Sequence, residues 1–167
     1  MDSLAGTTAS EDFAAFHARV GDLQEWQPAP TFTFTDLEGR EYHLDSLAGK
    51  VVVLDFWATW CPPCVREIPN IKAMNGALAD REDFVLISVS LDDDTERLTR
   101  FIERNGLSWP QANDFGGKLK TDGVLATAYK AQGLPKYLLI DKDGILRYNS
   151  HLHDHHFVPL EIVKRYL

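Results

Sequence analysis

The sequence predicts an α/β fold: a mixed central β-sheet flanked by helices, with an N-terminal β-hairpin as an extension. Three observations carry that expectation. Val51 to Phe56 and Phe84 to Leu91 are nearly unbroken apolar runs rich in β-branched residues, the pattern of strands buried on both faces. Between and after them lie segments whose apolar residues recur at helical spacing. Tyr137 to Ile140, Asp141 to Gly144 and Ile145 to Tyr148 read as strand, turn and strand, which adds an antiparallel pair to parallel ones.

Each element follows from its residues. Met1 to Ser10 reads as a flexible leader. Glu11 to Trp26 carries Phe13, Phe16, Val20 and Leu23 at helical spacing, with Ser10 as a candidate N-cap and Pro28 and Pro30 as stops. The division falls there: residues 1–28 form a leader and helix, and residues 29–167 the main domain. Thr31 to Thr35 alternates polar and apolar residues as a strand does, Asp36 to Gly39 is a turn, and Arg40 to Leu44 returns as a second short strand. A helix runs from Pro63 to about Ala79, and Pro69 should kink it, because proline lacks an N–H and crowds the preceding turn. Asp94 opens a helix that presents Leu98, Phe101 and Ile102 inward and ends near Gly106. Ser108 to Gly123 is polar and Gly-rich and reads as a loop, Val124 to Ala131 as a short helix, and Leu160 to Leu167 as a final one.

Composition narrows the function classes. A chain of 167 residues can bury about two-thirds of its surface on folding, enough for a core without metal or disulfide support. The net charge of −8 argues against non-specific binding to nucleic acid or anionic membrane. No apolar run reaches the length of a membrane span, and no basic segment followed by an apolar stretch marks a signal peptide.

The chemistry concentrates in Trp57-Ala58-Thr59-Trp60-Cys61-Pro62-Pro63-Cys64, which holds the only two cysteines. A disulfide across so short a loop adds roughly 2 kcal/mol in the chain-entropy picture, against about 4.7 for a hundred-residue loop, so the pair suits redox chemistry better than stapling. A half zinc site is the competing reading, but a structural zinc needs four ligands and no second CxxC exists. Cys61 sits where a buried strand hands over to a helix, and the helix N-terminus favours its thiolate. Cys64, one turn further in, is the resolving thiol. Neither spacer proline has an N–H, so the thiolate is only modestly stabilised and the couple fairly reducing.

Asp55-Phe-Trp-Ala-Thr-Trp-Cys-Pro-Pro-Cys64 resembles the active-site segment of thioredoxin-fold oxidoreductases, and its continuation Val65-Arg-Glu-Ile-Pro69 is most similar to the TlpA/ResA branch. The resemblance covers Ala29 to the C-terminus and implies a thioredoxin-like fold. It implies a thiol–disulfide oxidoreductase that reduces or exchanges protein disulfides through a mixed disulfide on Cys61, without a cofactor. Gly133-Leu-Pro-Lys-Tyr-Leu-Leu-Ile-Asp-Lys-Asp-Gly144 is a second match. It implies a cis bond before Pro135, facing the CxxC, and pairing of the Leu134 backbone with substrate. Family members carry Thr after this proline, whereas Lys136 here puts a positive charge near the groove.

By the same resemblance Asp55 matches the buried acid of thioredoxins, where the TlpA/ResA branch often has Asn, and Glu67 matches an active-site Glu of the ResA-like branch. A carboxyl in an apolar strand has a raised pKa and is able to take the Cys64 proton. The resemblance thus implies a catalytic set of Cys61, Cys64, Asp55 and Glu67; the competing readings are a capped structural acid for Asp55 and a Glu that simply suits the helix dipole for Glu67. Trp60, Pro62, Leu134 and Pro135 form the substrate groove, with Trp57 packed nearby. The implied partners are disulfide-containing or dithiol proteins and an upstream thiol reductant, with no nucleic acid and no membrane span, for a monomer. The implied setting is periplasmic or otherwise extracytoplasmic; the visible N-terminus equally fits the cytoplasm.

Two other functions compete. A thiol peroxidase wants Pro-x-x-x-Thr-x-x-Cys, but Thr59 stands two residues before Cys61 and no proline precedes it at that spacing; peroxide consumption without a disulfide substrate separates the two. A non-catalytic binding module would not need the intact CxxC, and insulin reduction with dithiothreitol tests that. His151, His153, His155 and His156 around Asp154 read as a solvated loop rather than a metal site. Asp92 to Asp94 reads as a polar turn capping the next helix. Phe13, Phe16 and Trp26 are as well suited to packing on the domain's own back as to a partner.

Overall fold

The computed structural model describes residues 23–114, 123–153 and 157–167. The expected N-terminal helix lies mainly outside them. Its last residues, Leu23 to Trp26, are not helical: Trp26 sits at φ 69°. The reason is a competing partner. Trp26 N donates to Leu146 O (2.7 Å), Leu146 N to Gln27 O (2.9 Å) and Ala29 N to Gly144 O (2.9 Å), so this segment runs along the C-terminal hairpin. It thereby covers backbone groups that an edge strand would leave open.

The expected hairpin follows as β1 (Thr33–Thr35) and β2 (Glu41–His43), antiparallel, with Phe34 opposite Tyr42. The central sheet contains β3 (Val51–Trp57), β4 (Phe84–Ser90), β5 (Gln111–Asn113), β6 (Lys136–Ile140) and β7 (Leu146–Asn149), in the order β5-β4-β3-β6-β7. β3, β4 and β5 are parallel, and β6 and β7 are antiparallel additions, which makes the sheet mixed as expected. All seven residues of β3 are buried, the consequence of a β-branched run placed mid-sheet with both faces covered.

β5 corrects the expected loop over Ser108 to Gly123. Gln-Ala-Asn has no strand pattern of its own; the free edge of β4 recruits it through Ser88–Gln111 to Ser90–Asn113 pairing. Residues 115–122 of that stretch lie outside the described residues.

The helices are α1 (Pro62–Leu78), α2 (Thr95–Asn105), α3 (Val124–Ala128) and α4 (Leu160–Lys164). α1 continues through Pro69. α2 has the expected caps: the Asp94 side chain accepts from Arg97 N, and Gly106 closes the helix at φ 60°, where glycine has no steric penalty. Strand alternation sorts the core into two clusters. Val51, Val53, Trp57, Tyr137 and Leu139 pack with α1, α2 and α4 residues such as Ile68, Leu98 and Val163. Val52, Leu54, Phe56, Leu138 and Ile140 face the other way, onto α3 and the N-terminal hairpin.

Candidate active site

The cysteines stand where β3 ends and α1 begins. Ala58 O accepts from Cys61 N at 3.1 Å, folding the chain over, and Cys61 is the N-cap of α1 with extended φ and ψ (−102°, 100°). Pro62 and Pro63 suit the first helical turn, whose N–H groups have no intrahelical partner. Their lack of N–H leaves Cys64 N as the donor to Cys61 Sγ, at 3.3 Å. Cys61 and Cys64 are disulfide-bonded, with Cα atoms 5.3 Å apart. Both are buried, at 5% and 1% exposure, Cys61 being the slightly more open residue.

Behind the disulfide lies Asp55, 2% exposed, in the middle of β3. Ser88 Oγ, on the neighbouring strand, donates to Asp55 Oδ2 at 2.7 Å and accepts from Trp109 Nε1 at 2.8 Å. Because the indole only donates, it commits the single hydroxyl proton of Ser88 to Asp55. Oδ1 has no hydrogen-bond partner among the described residues. Burial outweighs the Ser88 bond and pushes the carboxyl up to about 7. Asp55 and Cys64 line the same gap under α1, and it is too narrow to hold a water molecule. Trp109, inside the segment read as a polar loop, is buried and belongs to this network.

The loop before Cys61 has its own anchor, which the sequence reading missed. Asp92, 2% exposed, accepts from Thr59 N (2.9 Å), Thr59 Oγ1 (2.5 Å) and Ser90 Oγ (2.6 Å). Three neighbouring aspartates read as one polar turn. Asp93 and Asp94 are exposed and Asp94 caps the next helix, while Asp92 turns inward and fixes the backbone two residues from Cys61.

The start of β6 lies across from the end of β3. The Leu134–Pro135 peptide is cis, as the resemblance implied. Lys136 pairs with Phe56, which sets buried Pro135 beside the end of β3; Leu134 is half-buried against both core clusters, one of which holds the cysteines. Trp60 is half-buried against the core face that holds the cysteines, Trp57 is buried in it with its ring 5.6 Å from that of Phe101, and Pro62 is exposed. Lys136 corrects an expectation. It is fully buried on the face shared with Phe56, away from the cysteines, and its Nζ donates to Lys130 O at 3.2 Å just beyond α3. Glu67 lies half-buried one turn past Cys64, where Asn70 Nδ2 donates to its Oε2 at 2.8 Å.

Of the histidine run, His153 stacks on Tyr148 with ring centroids 4.8 Å apart and places Nε2 2.6 Å from Glu25 Oε1. His155 and His156 lie outside the described residues. No group of three metal-ligating side chains occurs among the described residues.

Two cysteines bonded to each other on the first turn of a helix, fed by a buried strand of a thioredoxin-like sheet, do disulfide exchange with a second molecule, and that places the protein among the thiol–disulfide oxidoreductases. The chain belongs to the AhpC/TSA family, whose model matches residues 26–149. It is 34% identical over 141 residues to the thiol-disulfide oxidoreductase ResA of Bacillus thuringiensis, covering 84% of this chain and 78% of that protein. It is 38% identical over 132 residues to ResA of Geobacillus thermodenitrificans, covering 79% and 72%. The thioredoxin domain of a thiol-disulfide oxidoreductase from Bacteroides vulgatus superposes with a TM-score of 0.67 at 26% identity, over 86% of this chain and 95% of that one.

Proposed function

We propose that this oxidoreductase reduces protein disulfides with Cys61 as the attacking thiolate and Cys64 as the resolving thiol. The observation that carries this is the placement of Cys61 Sγ at the N-cap of α1, accepting Cys64 N–H, with Cys64 more deeply buried. The Cys61 thiolate attacks a substrate disulfide and forms a mixed disulfide, expelling one substrate thiolate. Cys64 gives its proton to Asp55, the acid that shares its gap, and attacks Cys61 Sγ. The second substrate thiolate leaves, and the Cys61–Cys64 disulfide remains. An upstream thiol reductant returns the two electrons.

Glu67 serves as a second proton handler at the rim. Trp60, Pro62, Leu134 and Pro135 border the substrate groove, and the Leu134 backbone is the edge to which an extended substrate adds. The protein acts as a monomer in an extracytoplasmic compartment, a reading supported by the TlpA/ResA resemblance. No helix among the described residues is long and apolar enough to cross a membrane.

A Cys64→Ser variant tests the order of attack. Incubated with a disulfide substrate, it should accumulate a mixed disulfide on Cys61. Accumulation in Cys61→Ser instead would reverse the assignment.

A further inference from the structure

Two buried side chains outside the exchange reaction hold Asp55. Ser88 pairs with it in the parallel β3–β4 register, and Ser88 N donates to Pro110 O at 3.0 Å, which brings the adjacent Trp109 alongside. Their side chains form one chain: Trp109 Nε1 donates to Ser88 Oγ (2.8 Å), and Ser88 Oγ donates to Asp55 Oδ2 (2.7 Å). All three residues are buried and line the gap that Cys64 also lines. The direction of the chain is fixed at its Trp109 end. An indole N–H only donates, whereas a hydroxyl free to turn can accept from a protonated carboxyl or donate to an ionised one. With Trp109 on its oxygen, Ser88 donates, and a bond to the ionised carboxyl favours ionisation.

We propose that Trp109 and Ser88 are positioning residues for the resolving step: they keep Asp55 Oδ2 as a hydrogen-bond acceptor and so make Oδ1 the atom that takes the Cys64 proton. Oδ1 has no hydrogen-bond partner among the described residues, and an oxygen that already accepts a bond is the weaker base. As the Cys64 S–H bond breaks, its proton goes to Oδ1 and its electron pair forms the bond to Cys61 Sγ. The bond from Cys61 Sγ to the substrate breaks, and the substrate sulfur leaves as a thiolate. The titratable groups that face Asp55 are Cys64 from α1 and Tyr137, directly opposite it on β6; Glu67 lies one turn beyond Cys64. Two opposing causes set the acid: burial raises its pKa, and the Ser88 bond lowers it. The Trp109–Ser88 pair therefore governs how much of Asp55 is ionised, and able to accept a proton, near neutral pH. Neither residue touches substrate; both act through Asp55.

The proposal rests on the reading of Asp55 as the acceptor of the Cys64 proton, and the test separates the two. Reduced wild-type protein, Ser88→Ala, Trp109→Phe, the double variant and Asp55→Asn are mixed with oxidised glutathione. Resolution of the mixed disulfide is followed by acid quench between pH 5.5 and 9. Losing a hydrogen bond to a carboxylate moves its titration by about one pH unit. In Ser88→Ala the midpoint of the resolution profile should rise by that amount, so that resolution is about fivefold slower at pH 7 and converges on wild type by pH 9. A merely structural role would slow it by the same factor at every pH. Trp109→Phe should shift the midpoint the same way by less. Benzothienylalanine at position 109 keeps the indole's shape without its N–H, and should do the same if the phenylalanine variant fails to fold. The double variant should share the midpoint of Ser88→Ala. An unshifted midpoint in Ser88→Ala beside slow resolution in Asp55→Asn would overturn the proposal and leave Asp55 in place. A further shift in the double variant would overturn the action of Trp109 through Ser88. Wild-type resolution in Asp55→Asn would overturn both readings.

Discussion

The Ser88 hydroxyl donates to Asp55 Oδ2 at 2.7 Å, and this single bond does not offset the burial of the carboxyl. The folded acid holds its proton up to about pH 7, against an ordinary aspartate value of 3.8. The stability contributed by the protonated form is therefore fully present below about pH 4 and is lost as pH rises through about 7. Three pKa units correspond to on the order of 4 kcal/mol. Asp55→Asn removes this dependence. Urea unfolding of the oxidised protein should show the variant gaining on wild type by that order between pH 4 and 8. A constant difference across that range would mean that Asp55 is not buried as a neutral acid.

The sheet and the CxxC were legible because their signals are local. β-branched runs, a turn glycine and a cysteine spacing each declare themselves within a few residues. The Asp55 network was only half legible. An acid in an apolar strand stands out, but Ser88 and Trp109 reach it from β4 and the loop after α2, a pairing that no local pattern encodes. β5 was invisible for the same reason, since its strand state comes from the edge of β4. Lys136 shows the limit of motif matching: the motif located the residue, but the strand register decided which face its charge occupies.

Asp92 accepts three hydrogen bonds, two from Thr59 in the active-site loop and one from Ser90 at the end of β4. Asp92→Ala leaves those donors buried without an acceptor and should cost about 3 kcal/mol by urea unfolding. Because Thr59 lies two residues from Cys61, insulin reduction should fall severalfold under conditions where the variant remains folded. Thr59→Val removes the hydroxyl but keeps the backbone bond, and should cost about 1 kcal/mol with a smaller loss of rate. Equal effects of the two substitutions would mean that the backbone bond contributes nothing.

Cys61 Sγ receives an N–H from the third helical position and none from the second, because Pro63 occupies it. Pro63→Ala supplies the missing donor at a position where N-cap side chains accept. A hydrogen bond to a thiolate is worth about 1–2 kcal/mol, so the reduced form gains and the couple should become more oxidising by roughly 20–40 mV. The Cys61 thiol should titrate lower. Glutathione equilibration measures the first and iodoacetamide reactivity against pH the second. An unchanged potential would show that N–H supply does not set the couple.

Lys136 Nζ donates to Lys130 O on the far side of the sheet from the cysteines. Its charge is therefore separated from the groove by β3 and β6 themselves, and it acts on the end of α3, where a cation meets the negative end of a helix. Lys136→Met keeps an unbranched chain in the same space and removes the charge. Substrate preference should not move: the ratio of kcat/KM for an acidic and a basic disulfide peptide should stay within about twofold of wild type, as should its dependence on ionic strength. A tenfold shift of that ratio toward the basic peptide would place the ammonium in the groove and contradict its bond to Lys130.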